Sequence, residues 1–152
     1  MTESNKAPLG AQPKAERASI ALYLYGEKLR PDVITSFIGV NPTTAREKNK
    51  IFLTSKGRQV APKMGVWALS PRQQNEGKDL MFQLKMLREL LSNFRQWRAL
   101  PDVERVLLSG FVAIPHDTDG GGKCYLRFDP EDARWLAEIG AEINIEVVYI
   151  PE

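Results

Sequence analysis

Histidine and cysteine are each used once in this 152-residue chain, as His116 and Cys124. A lone cysteine forms neither an intrachain disulfide nor a multi-cysteine zinc site, and it suits a reducing compartment, so a cytoplasmic location is expected. Net charge is also scarce. The 21 basic residues exceed the 19 acidic ones by only two, giving a formal charge of +2 and no global field to draw the chain onto nucleic acid or an anionic membrane. No apolar run approaches the ~20 residues of a membrane span. Met1 to Arg17 also lacks the apolar stretch of a secretory signal. These absences leave an unexported soluble protein in which any electrostatic specificity is local.

What is present begins after residue 17. Residues 1–17 carry two prolines, Gly10 and mixed polar residues, too little apolar surface to offset the entropy of ordering, and read as a flexible tail. Residues 18–152 read as a single domain, long enough for folding to remove roughly 70% of its surface from water. Ile20, Leu22 and Leu24 alternate with Ala21, Tyr23 and Tyr25, the period of a strand with one face inward. Pro31 at a helix start and Gly39 at its end enclose a short helix over Pro31 to Ile38. Gly65 to Ser70 reads as a strand, and the irregular stretch before it offers Ile51-Phe52-Leu53 as a short edge strand.

Leu80, Leu84, Leu87, Leu91 and Phe94, widened by Met81, Leu90 and Trp97, predict one long amphipathic helix from Asp79 to Arg98. Val106 to Ile114 is nearly all apolar, which predicts a mid-sheet strand buried on both faces. His116 to Gly122 reads as a turn and Cys124 to Phe128 as the returning strand of a hairpin. Asp129-Pro130-Glu131-Asp132 is a strong helix start, with Ala133, Leu136, Ala137 and Gly140 expected inward. Ile143, Ile145, Val147 and Tyr149 alternate to give a last strand. The predicted order is β-α-(β)-β-α-β-β-α-β: an α+β fold with a mixed sheet, helices mainly on one face and two loosely similar halves.

The Leu29-Arg30-Pro31-Asp32-Val33-Ile34-Thr35 segment, the Ile38-Gly39-Val40-Asn41-Pro42-Thr43 turn, the Val66-Trp67-Ala68-Leu69 strand, the long helix and the Asp129 to Asp132 helix start together resemble bacterial proteins grouped as domain of unknown function 4279. The likeness spans roughly Ser19 to Tyr149. It carries no catalytic residue across, and some immunity proteins of bacterial toxin systems look similar to that family.

Two surfaces stand out by charge. Arg46, Lys48, Lys50, Lys56, Arg58 and Lys63 are opposed only by Glu47, making a basic loop that either contacts phosphates or an acidic protein or is simply solvated. Asp129, Glu131, Asp132, Glu138, Glu142, Glu146 and Glu152 are opposed only by Arg134. An acidic helix and strand of this kind can cover the positive cleft of a nuclease-type toxin, or can be a solvated helix surface with Glu146 guarding a sheet edge. Trp135, flanked by Glu138, Glu142 and Glu146, is the expected aromatic anchor of that face, with Tyr23 and Tyr25 as further interface residues. Trp67 and Trp97 read as core.

His116, Asp117 and Asp119 form the one cluster with ligand or acid/base chemistry, but there is no second histidine and the adjoining Gly120-Gly121-Gly122 gives a loose frame, so it reads as a turn. Cys124 reads as a small buried residue. No catalytic residue, metal site or cofactor is assigned, and the oligomeric state is left open. The expectation is a non-enzymatic protein-binding domain, most concretely an immunity protein that occludes the active site of a cognate toxin. The alternative is a regulatory domain that binds RNA or a small ligand through the basic loop at 46–63.

Overall fold

The computed structural model describes residues 17–71, 79–115 and 126–150. Its main element is a five-stranded mixed sheet in the order β2-β5-β1-β6-β7, built from β1 (Arg17–Gly26), β2 (Thr44–Arg46), β5 (Gly65–Leu69), β6 (Arg105–Pro115) and β7 (Glu142–Ile150). A separate two-stranded hairpin joins β3 (Phe52–Leu53) to β4 (Gln59–Val60). The helices among the described residues are α1 (Pro31–Ile38), α2 (Leu80–Leu90) and α3 (Pro130–Ile139), with a short 3-10 turn at Trp97–Ala99.

Strand alternation explains the layering. β1 runs antiparallel to both β5 and β6, with Leu22 opposite Leu69 and Leu108, and Leu24 opposite Trp67 and Val106. Directly opposed residues share a sheet face. Ile20, Leu22, Leu24, Trp67, Leu69, Leu108, Val112 and Ile114 therefore point to one side, and all are buried. The helices cover that side. Ile34 and Ile38 of α1, Leu80, Leu84 and Leu87 of α2, and Leu136 and Ile139 of α3 join the same apolar cluster. Trp67 donates its ring N–H to Thr35 Oγ1 (3.0 Å), and Gln83 donates from Nε2 to the Ala18 carbonyl (2.7 Å), tying α1 and α2 to the strands beneath them. The opposite sheet face carries Ser19, Ala21, Tyr23, Tyr25, Leu107, Ser109 and Phe111, half-buried or exposed, and no described helix.

The punctuation residues act as anticipated. Pro31 opens α1 and Gly39 closes it in the left-handed conformation at φ 81°, donating its N–H to the Thr35 carbonyl. At the start of α3, Asp129 Oδ1 accepts from the Asp132 N–H (2.7 Å) while Asp132 Oδ2 accepts from the Asp129 N–H (3.0 Å), a reciprocal capping box. Gly26 and Gly65 face each other at the ends of β1 and β5, where the Asp102 and Leu29 carbonyls press so close that an added Cβ would lie 1.9 Å and 2.2 Å from them.

Several expectations are corrected. The long helix breaks after Leu90: Ser92 turns its hydroxyl back onto the Glu89 carbonyl, and the chain enters a turn before Trp97. Phe94 and Trp97 still pack on the core, edge to face, with centroids 4.9 Å apart. Phe52 and Leu53 pair with Val60 and Gln59 rather than with the main sheet, whose edge is β2 instead. Mid-sheet β6 is buried on its helix side at Leu108, Gly110, Val112 and Ile114 but only in part on the other, where Leu107 and Ser109 are half-buried, Phe111 is 37% exposed and Ala113 alone is buried, because the described helices lie on the opposite face. The anticipated returning strand falls mostly at 116–125, outside the described residues, and residues 126–129 that follow are not in a strand.

On α3 the inward stripe is Asp132, Leu136 and Ile139, with Ala133 and Ala137 exposed. The two halves are unlike: β1 and β5 are antiparallel around α1, whereas β6, α3 and β7 form a parallel crossover unit.

Candidate partner-binding surface

The carboxylate that misphases α3 in the sequence braces a groove between α2 and α3. Asp132 is 2% exposed, a charge that must be matched. Arg88 on α2 supplies the match, donating from Nη1 to Asp132 Oδ1 at 2.6 Å, and its other terminal nitrogen lies 3.6 Å from Glu131. This charge-assisted bond bridges α2 and α3. Asp129, beside it, is held below the usual carboxylate range chiefly by the Asp132 N–H donated to it.

Between the braced helices runs an open groove of about 580 Å³. Phe82 and Met86 from α2, Phe94 beyond it and Trp135 from α3 supply its apolar lining. Lys85 and Glu89 on one rim face Arg134 and Glu138 on the other, so both signs of charge are offered. Trp135 is half-buried: Asp132, Leu136 and Ile139 occupy the inward stripe, leaving the indole at the groove's side. An apolar aromatic centre with a mixed polar rim is the anatomy of a protein-binding patch.

Of the acidic face expected from sequence, Trp135 and Glu138 come together on this groove, but Glu142 and Glu146 do not join them. On β7 these two carboxylates alternate with Ile143, Ile145 and Val147, which pair in register with the helix-side residues Leu108, Gly110 and Val112. Glu142 and Glu146 therefore project from the helix-free face of the sheet. Glu142 is further engaged by Arg105, which donates from Nε (2.8 Å) and Nη2 (3.1 Å) and keeps the carboxyl below its ordinary range. With Asp129, Glu131, Asp132 and Glu142 engaged inside the chain, the acidic run in the sequence overstates the charge shown to a partner.

Tyr23 and Tyr25 stack on the helix-free face with centroids 5.7 Å apart and planes 6° from parallel. Arg105 sits 5.9 Å from the Tyr25 ring. Partial burial, helped by Tyr23 and opposed by Arg105, raises the Tyr25 hydroxyl above its usual pKa.

The basic loop is likewise partly consumed. Arg46 lies 3.9 Å over the Phe52 ring, Lys48 bonds Glu27, and Lys50 is 3.6 Å from Glu47. Lys56 and Arg58, on the tip of the β3–β4 hairpin, are exposed. A smaller hollow of about 360 Å³ separates this loop from α1, with Thr35, Pro42, Arg46, Lys50 and Phe52 among its walls. His116, Asp117, Asp119 and Cys124 lie outside the described residues. Among the described residues no group of three or more His, Cys, Asp or Glu side chains is placed to hold a metal ion, and no helix is long and apolar enough to cross a membrane.

The family model described as Domain of unknown function (DUF4279) matches residues 16–149, nearly the whole chain. The chain belongs to this family. No curated protein and no solved structure matches the DUF4279 chain. The family description names no activity, so the argument for function falls on the surface itself. Sequence reasoning named Trp135 and Glu138, which line the groove, and named Asp132 only as an acidic helix-start residue, missing its burial and its pairing with Arg88. The available signal was the spacing of Asp132 to Leu136 and Ile139, which puts a carboxylate on the stripe of a helix that otherwise points inward.

Proposed function

We propose that this DUF4279 protein is a non-enzymatic protein-binding domain, and most concretely an immunity protein that neutralises a cognate toxin by occluding its active site. The groove between α2 and α3 carries this reading: Trp135, Phe94, Met86 and Phe82 offer an apolar seat, and Glu138, Glu89, Lys85 and Arg134 can discriminate among partners by charge. A partner side chain or short helix inserted there covers apolar area on both molecules while the rim pairs remain partly in water, an arrangement that yields affinity from a few central anchors. Occlusion requires no chemistry of its own, only a rigid face held in place, and the Arg88–Asp132 tie provides that.

The test is recovery of the tagged full-length protein from its native host, with and without nuclease treatment. A single stoichiometric protein that survives nuclease is expected. Loss of a Trp anchor costs about 2 kcal/mol or more, so Trp135→Ala should weaken its binding at least ~30-fold. Glu138→Lys, at an exposed position, should slow association without altering the melting temperature. A partner that binds both variants as it binds the natural chain, or recovery that depends on RNA, would overturn the reading.

One observation favours a second reading. The hollow beside α1 places Arg46 and Lys50 next to Phe52, a set suited to a small anion or a nucleotide. In that case binding falls steeply with salt and is lost on neutralising Arg46 and Lys50.

A further inference from the structure

Among the described residues β7 is the outermost strand of the main sheet, nine residues long and bonded to β6 on one side only. Exposed edges are normally blunted by brevity, proline, bulges or charge. The opposite edge obeys this: β2 is three residues long. β7 contains neither proline nor glycine, and of its two charges Glu142 is already held by Arg105. Its helix-side row is also left open. Ile143, Val147 and Tyr149 are 49%, 41% and 55% exposed, whereas their neighbours on β6, Leu108, Val112 and Ile114, are all under 5%. Of this row only Ile145 packs against the core that Leu136 and Ile139 of α3 join. Hydrogen-bonding groups and apolar side chains thus face outward along the same line.

We propose that a second copy of this chain pairs antiparallel with β7 about a two-fold axis through Val147, extending the sheet continuously across both copies. The sequence of β7 is self-complementary in that register. Val147 opposes itself and Ile145 opposes Tyr149 on the helix side, while Glu146 opposes Val148 and Asn144 opposes Ile150 on the other. Aromatic and β-branched pairs of this kind favour cross-strand association, and no like charges meet over the seven residues 144–150. Centring one residue earlier would set Glu146 against Glu146. A slip of the partner strand by a single position would turn apolar side chains onto the wrong face. A two-fold axis perpendicular to the sheet keeps the helices of both copies on the same side, so the open row of one copy covers the open row of the other. The seven residues that pair, 144–150, span about 23 Å. The contact falls at the small end of stable interfaces, so the dimer forms in a concentration-dependent way. The surface lies apart from the α2–α3 groove, and the two proposals stand or fall separately.

Sedimentation of the full-length chain from micromolar to submillimolar concentration should show a reversible rise from 17.1 kDa toward twice that mass. Val147→Lys should abolish the rise with unchanged circular dichroism and melting temperature. Leu53→Lys, at a site 66% exposed and remote from the edge, should leave it intact. In a Cys124→Ser background, Val147→Cys should crosslink to a disulfide dimer on mild oxidation and Glu146→Cys should not. A monomer throughout the range, association that survives Val147→Lys, or crosslinking of the Glu146→Cys variant in place of Val147→Cys would overturn the proposal.

Discussion

Removing the Arg88 guanidinium should cost this fold far more than an ordinary surface truncation does. The Arg88 side chain is 22% exposed and that of Asp132 only 3%, so Arg88→Ala strands a carboxylate that water reaches poorly. Breaking a buried pair from one side costs about 3–5 kcal/mol. Asp132 retains the Asp129 N–H as a donor, and the arginine is not wholly buried, which sets the expectation near the lower end, about 3 kcal/mol. With a urea m-value of about 1–3 kcal/mol/M, the unfolding midpoint should fall by roughly 1–3 M. Replacing both partners, Arg88→Met with Asp132→Leu, removes the unmatched charge as well as the attraction. That double variant also loses the capping bond from the Asp129 N–H, so it should recover part of the loss, with a coupling of about 2 kcal/mol in a double-mutant cycle. Equilibrium urea unfolding followed by tryptophan fluorescence provides the measurement. A loss under about 1 kcal/mol for Arg88→Ala, or a double variant equal to the sum of the singles, would refute the claim that this pair braces α2 against α3.

Two further outcomes follow from local geometry. Gly26→Ala places a Cβ 1.9 Å from the Asp102 carbonyl oxygen, a contact with backbone that only displacement of the 102 turn or of β1 can relieve, so a loss of about 3 kcal/mol or more is expected in thermal unfolding, and a native-like melting temperature would contradict it. Asp129 has a depressed pKa in the folded state, so its contribution is present above the unfolded carboxylate value of about 4 and is lost as pH falls through the folded value. Asp129→Asn keeps a cap acceptor but no longer titrates, and acid unfolding should show a flatter limb below about pH 4 than the natural chain.

Much of the frame was legible because it follows from strictly local chemistry. The alternation of Ile20, Leu22 and Leu24, the Pro31 and Gly39 bracket around α1 and the Asp129 cap each depend on a few adjacent residues, and each stands where expected. Departures arise where a tertiary partner decides. Leu91, Phe94 and Trp97 follow a helical stripe, yet the chain turns after Leu90 and still buries Leu91 and Trp97, because packing constrains side chains without requiring a continuous helix. Val106 to Ile114 reads as doubly buried, but composition does not reveal that all the described helices choose one face.

At the candidate site, Trp135 and Glu138 were recognisable from residue type. The division of the acidic residues between helix layer and sheet face was not, since it follows from the parity of β7 against β6. Arg88, a long way from Asp132 in sequence, gave no sign of its partner.

The position of β1 bears on how the chain reaches this structure. It precedes every other described strand in the chain and lies at the centre of the sheet, where Arg17 opposes Ala113 and Tyr25 opposes Arg105. Its β5 neighbour arrives early, but the β6 ladder can close only after a large loop has been gathered, and β7 is added later still. Such pairing raises contact order and slows folding. During synthesis the Ile20, Leu22 and Leu24 row waits with one flank unpaired, which makes the nascent intermediate, rather than the finished fold, the stage most exposed to aggregation.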